Sequence, residues 1–324
     1  MIAGVPSPLP SDIPTGVPAG IDVRTQVPLA RHTYLRIGGP ARFFAEPHSL
    51  DEVALLFAWA RSVPVAVRVL GGGSNILVAD EGVDALVITL RRACGQVRFD
   101  GTRVTAGAAV MLPALARAAA AEGLSGLEFA VGIPGSLGGA LQTNAGIGDG
   151  RSIGPLVDSV DALGARGPLT LSREELRFGY RESSLRGAGV MVTAATLQLG
   201  PRPREAIEAE MRRLLAVRAA AQPTAQPNAG SVFRNPPGDH AGRLIEAAGC
   251  KGLTVGGARV SELHANFIVH DGGATARDVA ALMRELQERV QAHAGISLVP
   301  EIEWWGPAPA PAAFPAPPSA ELEE

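Results

Sequence analysis

The stretch Glu128-Phe-Ala-Val-Gly-Ile-Pro-Gly-Ser-Leu-Gly-Gly-Ala-Leu-Gln-Thr-Asn-Ala-Gly146 sets five glycines and one proline among short apolar runs. Glycine tolerates left-handed turns and close contacts that a Cβ forbids, and its entropic cost argues against so dense a cluster as filler. Upstream, Leu70-Gly-Gly-Gly-Ser-Asn-Ile-Leu77 repeats the theme directly after an apolar run. Two such loops point to one extended anionic ligand held by backbone N–H groups. The competing reading, tight turns alone, is weaker for two loops in one chain than for one. Neither loop carries a nucleotide signature. Gly71-Gly72-Gly73-Ser74-Asn75 leads into apolar Ile76-Leu77-Val78, not a GxGxxG helix, and GxxxxGK[ST] is absent, which argues against a Rossmann dehydrogenase and a P-loop NTPase.

The chain of 324 residues has material for two or three domains, and 46% hydrophobic residues mark it as globular. No uninterrupted apolar stretch reaches ~18 residues, so no membrane span is expected. The first residues combine several prolines with no basic region, unlike a signal peptide, and the expected compartment is the cytoplasm. A net charge of −3 and the lack of a basic run with interleaved aromatics predict no nucleic-acid partner. No obligate protein partner is evident. Cys94 and Cys250 stand far apart with no metal spacing, so neither a disulfide nor zinc is expected.

Pattern and turn chemistry predict an α+β fold. Residues 1–20 read as a flexible Pro/Gly/Ser-rich arm. Residues 21–90 form a small α/β unit, with strands at Ala41–Glu46, Val63–Leu70 and Val83–Leu90. Its helix, Leu50–Arg61, is capped by Ser49 with Glu52 completing a capping box. Residues 91–203 carry mostly antiparallel strands. They start with a hairpin around Asp100-Gly101 and a helix at Met111–Glu122. A helix-like stretch precedes Tyr180. Residues 204–305 hold helices at Arg204–Ala221, Asp239–Ala248 and Thr275–Gly295, the last with a Val279, Leu282, Leu286, Val290 stripe, and a closing strand at Leu298–Trp304. Residues 306–324 read as a disordered Pro/Ala-rich tail.

Outside the glycine loops, three polar constellations could do chemistry. Arg181, in Tyr180-Arg-Glu-Ser-Ser184, could aim a fixed charge into a cleft or be plain surface charge. Ser231 lies in Gly230-Ser-Val-Phe-Arg-Asn-Pro236. It lacks the following glycine of a GxSxG elbow, so hydrolase chemistry is disfavoured, and a turn serine is the local default. Glu301 and Glu303 share one face of the last strand, opposite Ile302 and Trp304, and one acid could point inward. His264 and His270 lack an acidic partner at metal spacing, so they read as ligand-proximal or structural and no metal is expected.

As an ordered set, these segments with Ala241–Glu246, Ser261–Ile268 and Leu298–Glu301 closely resemble the UDP-N-acetylenolpyruvoylglucosamine reductases of bacterial cell-wall synthesis. The likeness covers about residues 30–305 and matches the compact form lacking an inserted tyrosine loop. It implies a two-subdomain FAD-binding region of vanillyl-alcohol-oxidase type plus a C-terminal α/β substrate-binding domain. It also implies noncovalent FAD, NADPH as co-substrate, and reduction of UDP-N-acetylglucosamine enolpyruvate to UDP-N-acetylmuramate. The cofactor contacts carried over are Gly71, Gly72, Gly73, Ser74, Asn75, Ile76, Gly132, Ile133, Pro134, Gly135, Ser136, Gly138, Gly139, Ala140, Asn144, Ala145 and Gly146. The catalytic set is Ser231 as proton donor with Arg181 and Glu301 stabilising charge. Tyr180, Arg234, Asn235, Lys251, His264 and Asn266 map to substrate, with Arg234, Lys251 and Arg259 expected on its diphosphate. Ile147-Gly148-Asp149 stands where the family often has Ala-Tyr-Gly. The alternatives are another FAD-dependent oxidoreductase of the same fold, such as a small-alcohol oxidase, or a noncatalytic flavin or sugar-nucleotide binder.

Overall fold

The computed structural model describes residues 15–307 and 310–314. In the first block, β1 (Val23–Pro28) runs antiparallel to β2 (Pro40–Ala45). Helix α1 (Leu50–Ser62) leads to β3 (Ala66–Val69), β4 (Ile76–Val78) and β5 (Val83–Ile88). Strand β5 lies parallel between β2 and β3, and all but one of its side chains are buried, as its near-continuous apolar run requires. The Ser49 hydroxyl accepts from Glu52 N–H as expected. The Glu52 carboxylate, however, accepts from His48 N–H at 2.7 Å, one residue further back than a capping box.

The second block is antiparallel throughout. β6 (Val97–Asp100) and β7 (Arg103–Gly107) close a hairpin whose turn residues are Gly101 and Thr102, one position later than expected, because Asp100 pairs with Arg103 and the φ of +57° falls on Gly101. Next come α2 (Leu112–Ala121), β8 (Leu124–Ser125) and α3 (Leu137–Thr143), then β9 (Val157–Gly164) and β10 (Gly167–Ser172). The hairpin β11 (Phe178–Gly179) and β12 (Glu182–Ser183) precedes β13 (Met191–Gln198), and β14 (Gly200–Pro201) pairs with β8. The sheet order is β10-β9-β13-β7-β6. The stretch before Tyr180 is a turn, not a helix: the Glu175 side chain accepts from Ser172 N–H, and a local side-chain acceptor closes a turn in place of a helical ladder.

Packing moves the expected boundary at residue 204. Helix α4 (Arg204–Ala221) lies on α2 and on the 3-10 turn Glu128–Gly132, and its Ile207 and Met211 join the core of the second block. A second core gathers residues from Ala229 onward together with Leu35, Ile37 and Leu77 of the first block. It is built by α5 (Ala241–Ala247), the antiparallel β15 (Thr254–Val255), β16 (Ala258–Val260) and β17 (Ile268–Val269), and α6 (Ala276–Ala294). Thr275 and Asp278 form a full capping box on α6, and its Val279, Leu282, Leu286 and Val290 stripe is wholly buried.

The chain then crosses back. β18 (Glu303–Trp305), shorter than the expected strand, pairs parallel with β4, and Trp305 joins the cluster of Leu29 and Phe44 in the first block. The reading of residues 306–324 as a disordered tail is too broad. Ala313 and Phe314 are buried, the Phe314 ring lies 5.7 Å from that of Trp304, and Gln287 Nε2 donates to Ala313 O. An aromatic side chain within reach of an exposed indole face gains more from docking than the short Pro/Ala linker loses. Residues 1–14 of the arm and 315–324 of the tail lie outside the described residues. Val17 and Ile21 pack against the main core.

Candidate active site

The two glycine loops meet face to face. The Ser74 hydroxyl donates to Pro134 O at 2.9 Å. A Cβ on Gly72 would sit 2.7 Å from Gly135 Cα, and one on Gly71 would sit 2.4 Å from Ser136 Oγ. Several glycines therefore serve protein packing before any ligand. Gly138 lets α3 approach Ala108, since its Cβ would stand 3.0 Å from the alanine's. Ile76, Ala140 and Ala145 are core, and Ile133 packs on it. The polar side chains are also committed. Ser136 caps α3 by accepting from Gly139 N–H. Asn144, at φ 44°, ends α3 and bridges Gly179 O and Gly154 N–H. Asn75 Nδ2 donates to Glu301 O, while Asn75 O accepts from Glu303 N–H.

What the loops leave uncommitted is backbone. Among the described residues, the N–H groups of Gly71, Gly72, Gly73, Ser74, Gly135 and Ser136 donate to no protein acceptor. Such a row of amides forms an anion cradle, which fits the diphosphate of a dinucleotide cofactor.

Beside the cradle, three distant segments converge. The two-residue turn of the β11–β12 hairpin is Tyr180-Arg181, with Arg181 at φ 55°, a strained conformation for a side chain of this size. Its Nε lies 2.7 Å from Glu301 Oε1, and its Nη1 donates to Gly146 O at 3.1 Å. The Nε–H does not point along the line to the carboxylate, so Nε is buried without an aligned hydrogen bond. Glu301 is enclosed, with 15% of its side chain exposed, and burial pushes its carboxyl above the usual range while the Arg181 and Arg234 charges pull it back. Ser231 joins through the backbone. It bridges to Phe267, and Val232 O accepts from Glu301 N–H at 2.8 Å. The Ser231 hydroxyl has no hydrogen-bond partner among the described residues.

The six residues mapped to substrate divide. Asn266 is 2% exposed and spends both side-chain groups on one residue, accepting from Phe233 N–H (3.0 Å) and donating to Phe233 O (2.8 Å). It is a clamp on the serine segment, not a ligand contact, a correction that burial dictates. Asn235 Oδ1 accepts from Ala241 N–H at the start of α5. Tyr180 is exposed, and its hydroxyl accepts from Asn235 N–H. Arg234, Lys251 and Arg259 pair with three different carboxylates, Glu182, Glu246 and Asp271. His264 Nδ1 accepts from Asn266 N–H, its ring lies 4.8 Å from that of Phe267, and burial holds its pKa below the ordinary value. His270 is buried against Leu35 O. Sequence reasoning missed Asn228, which holds the loop before Ser231 by bonding Gly230 N–H, Pro223 O and Gln226 O. The Asn-Ala-Gly-Ser spacing, an Asx turn, was the available signal. It also missed Arg218. Among the described residues no His, Cys, Asp and Glu cluster is placed to hold a metal, and no helix is long and apolar enough to cross a membrane.

Residues 41–166 match the family model described as FAD binding domain. Fold and cradle thus define an FAD-binding enzyme fold with a further C-terminal domain. Residues 222–305 match the model for the UDP-N-acetylenolpyruvoylglucosamine reductase C-terminal domain. The reductase of that name from Moorella thermoacetica is 47% identical over 88% of this chain and 94% of its own. The one from Heliobacterium modesticaldum is 48% identical over 86% and 88%. The crystal structure of the Thermus caldophilus enzyme superposes with a TM-score of 0.75 at 38% identity, covering 88% of this chain and 98% of that one. The chain belongs to the UDP-N-acetylenolpyruvoylglucosamine reductase family.

Proposed function

We propose that this protein reduces UDP-N-acetylglucosamine enolpyruvate to UDP-N-acetylmuramate for peptidoglycan precursor synthesis, using NADPH and noncovalent FAD. The observation that carries this reading is the partly buried Arg181–Glu301 pair, tied to the glycine loop through Asn75 and to the Ser231 segment through Val232. A cytoplasmic location and a vanillyl-alcohol-oxidase type of flavin domain, with the two glycine loops on separate subdomains, go with it.

Bound FAD would supply the hydride, taken from NADPH and delivered to the β-carbon of the enolpyruvyl ether. Hydride addition leaves negative charge on the substrate carboxylate. Arg181, held by Glu301 and Gly146 O, offers a fixed positive charge to it, an arrangement that needs no reorganisation during the reaction. The enclosed Glu301, whose carboxyl burial raises against the pull of the Arg181 and Arg234 charges, would keep the Arg181 guanidinium in place. Ser231, its hydroxyl unspent on the described residues, would give its proton to the α-carbon, driven by the basicity of the developing carbanion. Asn266 fixes the serine segment, and the free amides of Gly71–Ser74, Gly135 and Ser136 would hold the cofactor diphosphate.

The test is an anaerobic experiment in two steps. Purified protein is expected to be yellow, NADPH to bleach it, and only the enolpyruvyl sugar nucleotide to restore the colour. Rapid recolouring by oxygen with an alcohol substrate would favour the oxidase alternative, and protein that takes up no FAD would refute the assignment.

A further inference from the structure

We infer that Arg218 is a cofactor-binding residue, the counter-charge for the diphosphate of FAD at the junction of the two glycine loops. The inference deepens the proposed function and rests on it.

Helix α4 carries four arginines, at 204, 212, 213 and 218; the first three pair with Glu208 or Glu210 and stand more than half exposed. Arg218 differs. It is partly buried, and among the described residues its guanidinium meets no carboxylate within 4.0 Å and no hydrogen-bond acceptor. Desolvation holds its pKa below the ordinary arginine value, and the Tyr34 phenol lies near it. A desolvated charge without a partner is costly unless something else completes it.

Its surroundings say what completes it. Arg218 packs on Gly132, where a Cβ would stand 3.2 Å from its Cδ and 3.6 Å from its Nη1, and Leu215 flanks the same glycine one turn earlier. Gly132 opens the second glycine loop. Tyr34 is anchored to the first loop, because its N–H donates to Gly73 O at 2.9 Å. The cation thus lies against Gly132, three residues before the uncommitted amide of Gly135, and near Tyr34, whose backbone is bonded to Gly73 of the other row. Amides supply directional donors but no net charge, and a diphosphate carries net negative charge, so one guanidinium at this junction supplies what the backbone lacks. A helix C-terminal position also favours a cation, but that role needs neither burial nor contact with Gly132.

The test compares flavins with and without phosphate. Full-length protein and its R218A and R218K variants are purified with flavin, and dissociation constants are read from the rise in flavin fluorescence on dilution. The same is done after exchange into riboflavin. Loss of one charge-assisted contact should raise the FAD dissociation constant of R218A about 10- to 100-fold, leave riboflavin binding unchanged, and place R218K between. The wild-type constant should also rise more steeply with salt than that of R218A. Equal weakening for both flavins would mean a packing role and overturn the inference. So would unchanged FAD binding with a raised KM for the sugar nucleotide or NADPH, which would assign the charge to a substrate diphosphate. If R218A does not fold, R218K and R218Q carry the comparison. Wild-type protein that binds no FAD would refute the proposed function instead.

Discussion

Replacing Asn266 by leucine separates a clamp from a ligand contact. The two side chains are similar in size, so no large cavity opens, yet both bonds to Phe233 are lost (3.0 and 2.8 Å). Phe233 is wholly buried, and water cannot replace the missing partners. Each orphaned backbone group costs about 1–3 kcal/mol, so the variant should lose about 2–5 kcal/mol of unfolding free energy. The Ser231–Phe267 bridge and the Val232 N–H to Asn266 O bond survive, since they are made by backbone, and the fold should persist in weakened form. Ser231 lies two residues before Phe233, so its hydroxyl should wander. A displacement of about 1 Å can cost about 100-fold in rate. Urea denaturation gives the first number and stopped-flow absorbance the second. NADPH should still bleach the flavin at the wild-type rate, and recolouring by the sugar nucleotide should slow. A loss below about 1 kcal/mol, with KM raised and kcat intact, would refute the clamp and restore Asn266 to the ligand.

Four further outcomes follow from the same geometry. Ser231→Ala should leave flavin reduction intact and slow recolouring by about 100-fold or more, and equal loss in both steps would sink the proton-donor role. Glu301→Gln removes a carboxyl whose pKa is raised in the folded state. Such a group contributes stability that is present below its unfolded pKa of about 4.3 and lost as pH rises through the folded pKa, so the wild type should lose stability relative to the variant across that window. A flat difference in urea midpoint with pH would show that the ion pair cancels burial. Gly72→Ala should destabilise by about 1–3 kcal/mol and loosen flavin, since its Cβ meets Gly135 backbone, whereas Gly200→Ala, with nothing within 4 Å, should not; equal melting temperatures would contradict the loop contact. Phe314→Ala should cost about 1.5–3 kcal/mol and shift Trp304 fluorescence, and an unchanged spectrum would place the ring in solvent.

Where a signal was local, it was legible in the chain. The boundaries of α4 and the apolar stripe of α6 follow from i, i+3 and i, i+4 neighbours, and the structure has them where the pattern put them. The resemblance likewise named Ser231, Arg181 and Glu301 as a set, and the fold brings their segments together. The side of the ledger that failed is instructive. Asn266 looked like a ligand residue because a polar side chain in a motif carries no mark of whether it faces a cleft or the interior. Asn75, Ser136 and Asn144 looked like cofactor contacts, yet their side chains bond the protein's own backbone.

By itself the sequence determined α1, α2, α4, α5 and α6, the strands β2, β3 and β5, the β6–β7 hairpin, the glycine loops and the family's ordered motifs, because each is encoded within a few neighbouring residues. Only the tertiary structure decided that α4 packs with the second block, that β18 returns to pair with β4, and that Phe314 docks on Trp304. It alone set Arg181 against Glu301 and left Arg218 without a carboxylate partner among the described residues. Those facts depend on burial and on contacts between residues far apart in the chain, and desolvation, which sets both the raised carboxyl of Glu301 and the cost of an unpaired guanidinium, exists only once the chain has closed around them.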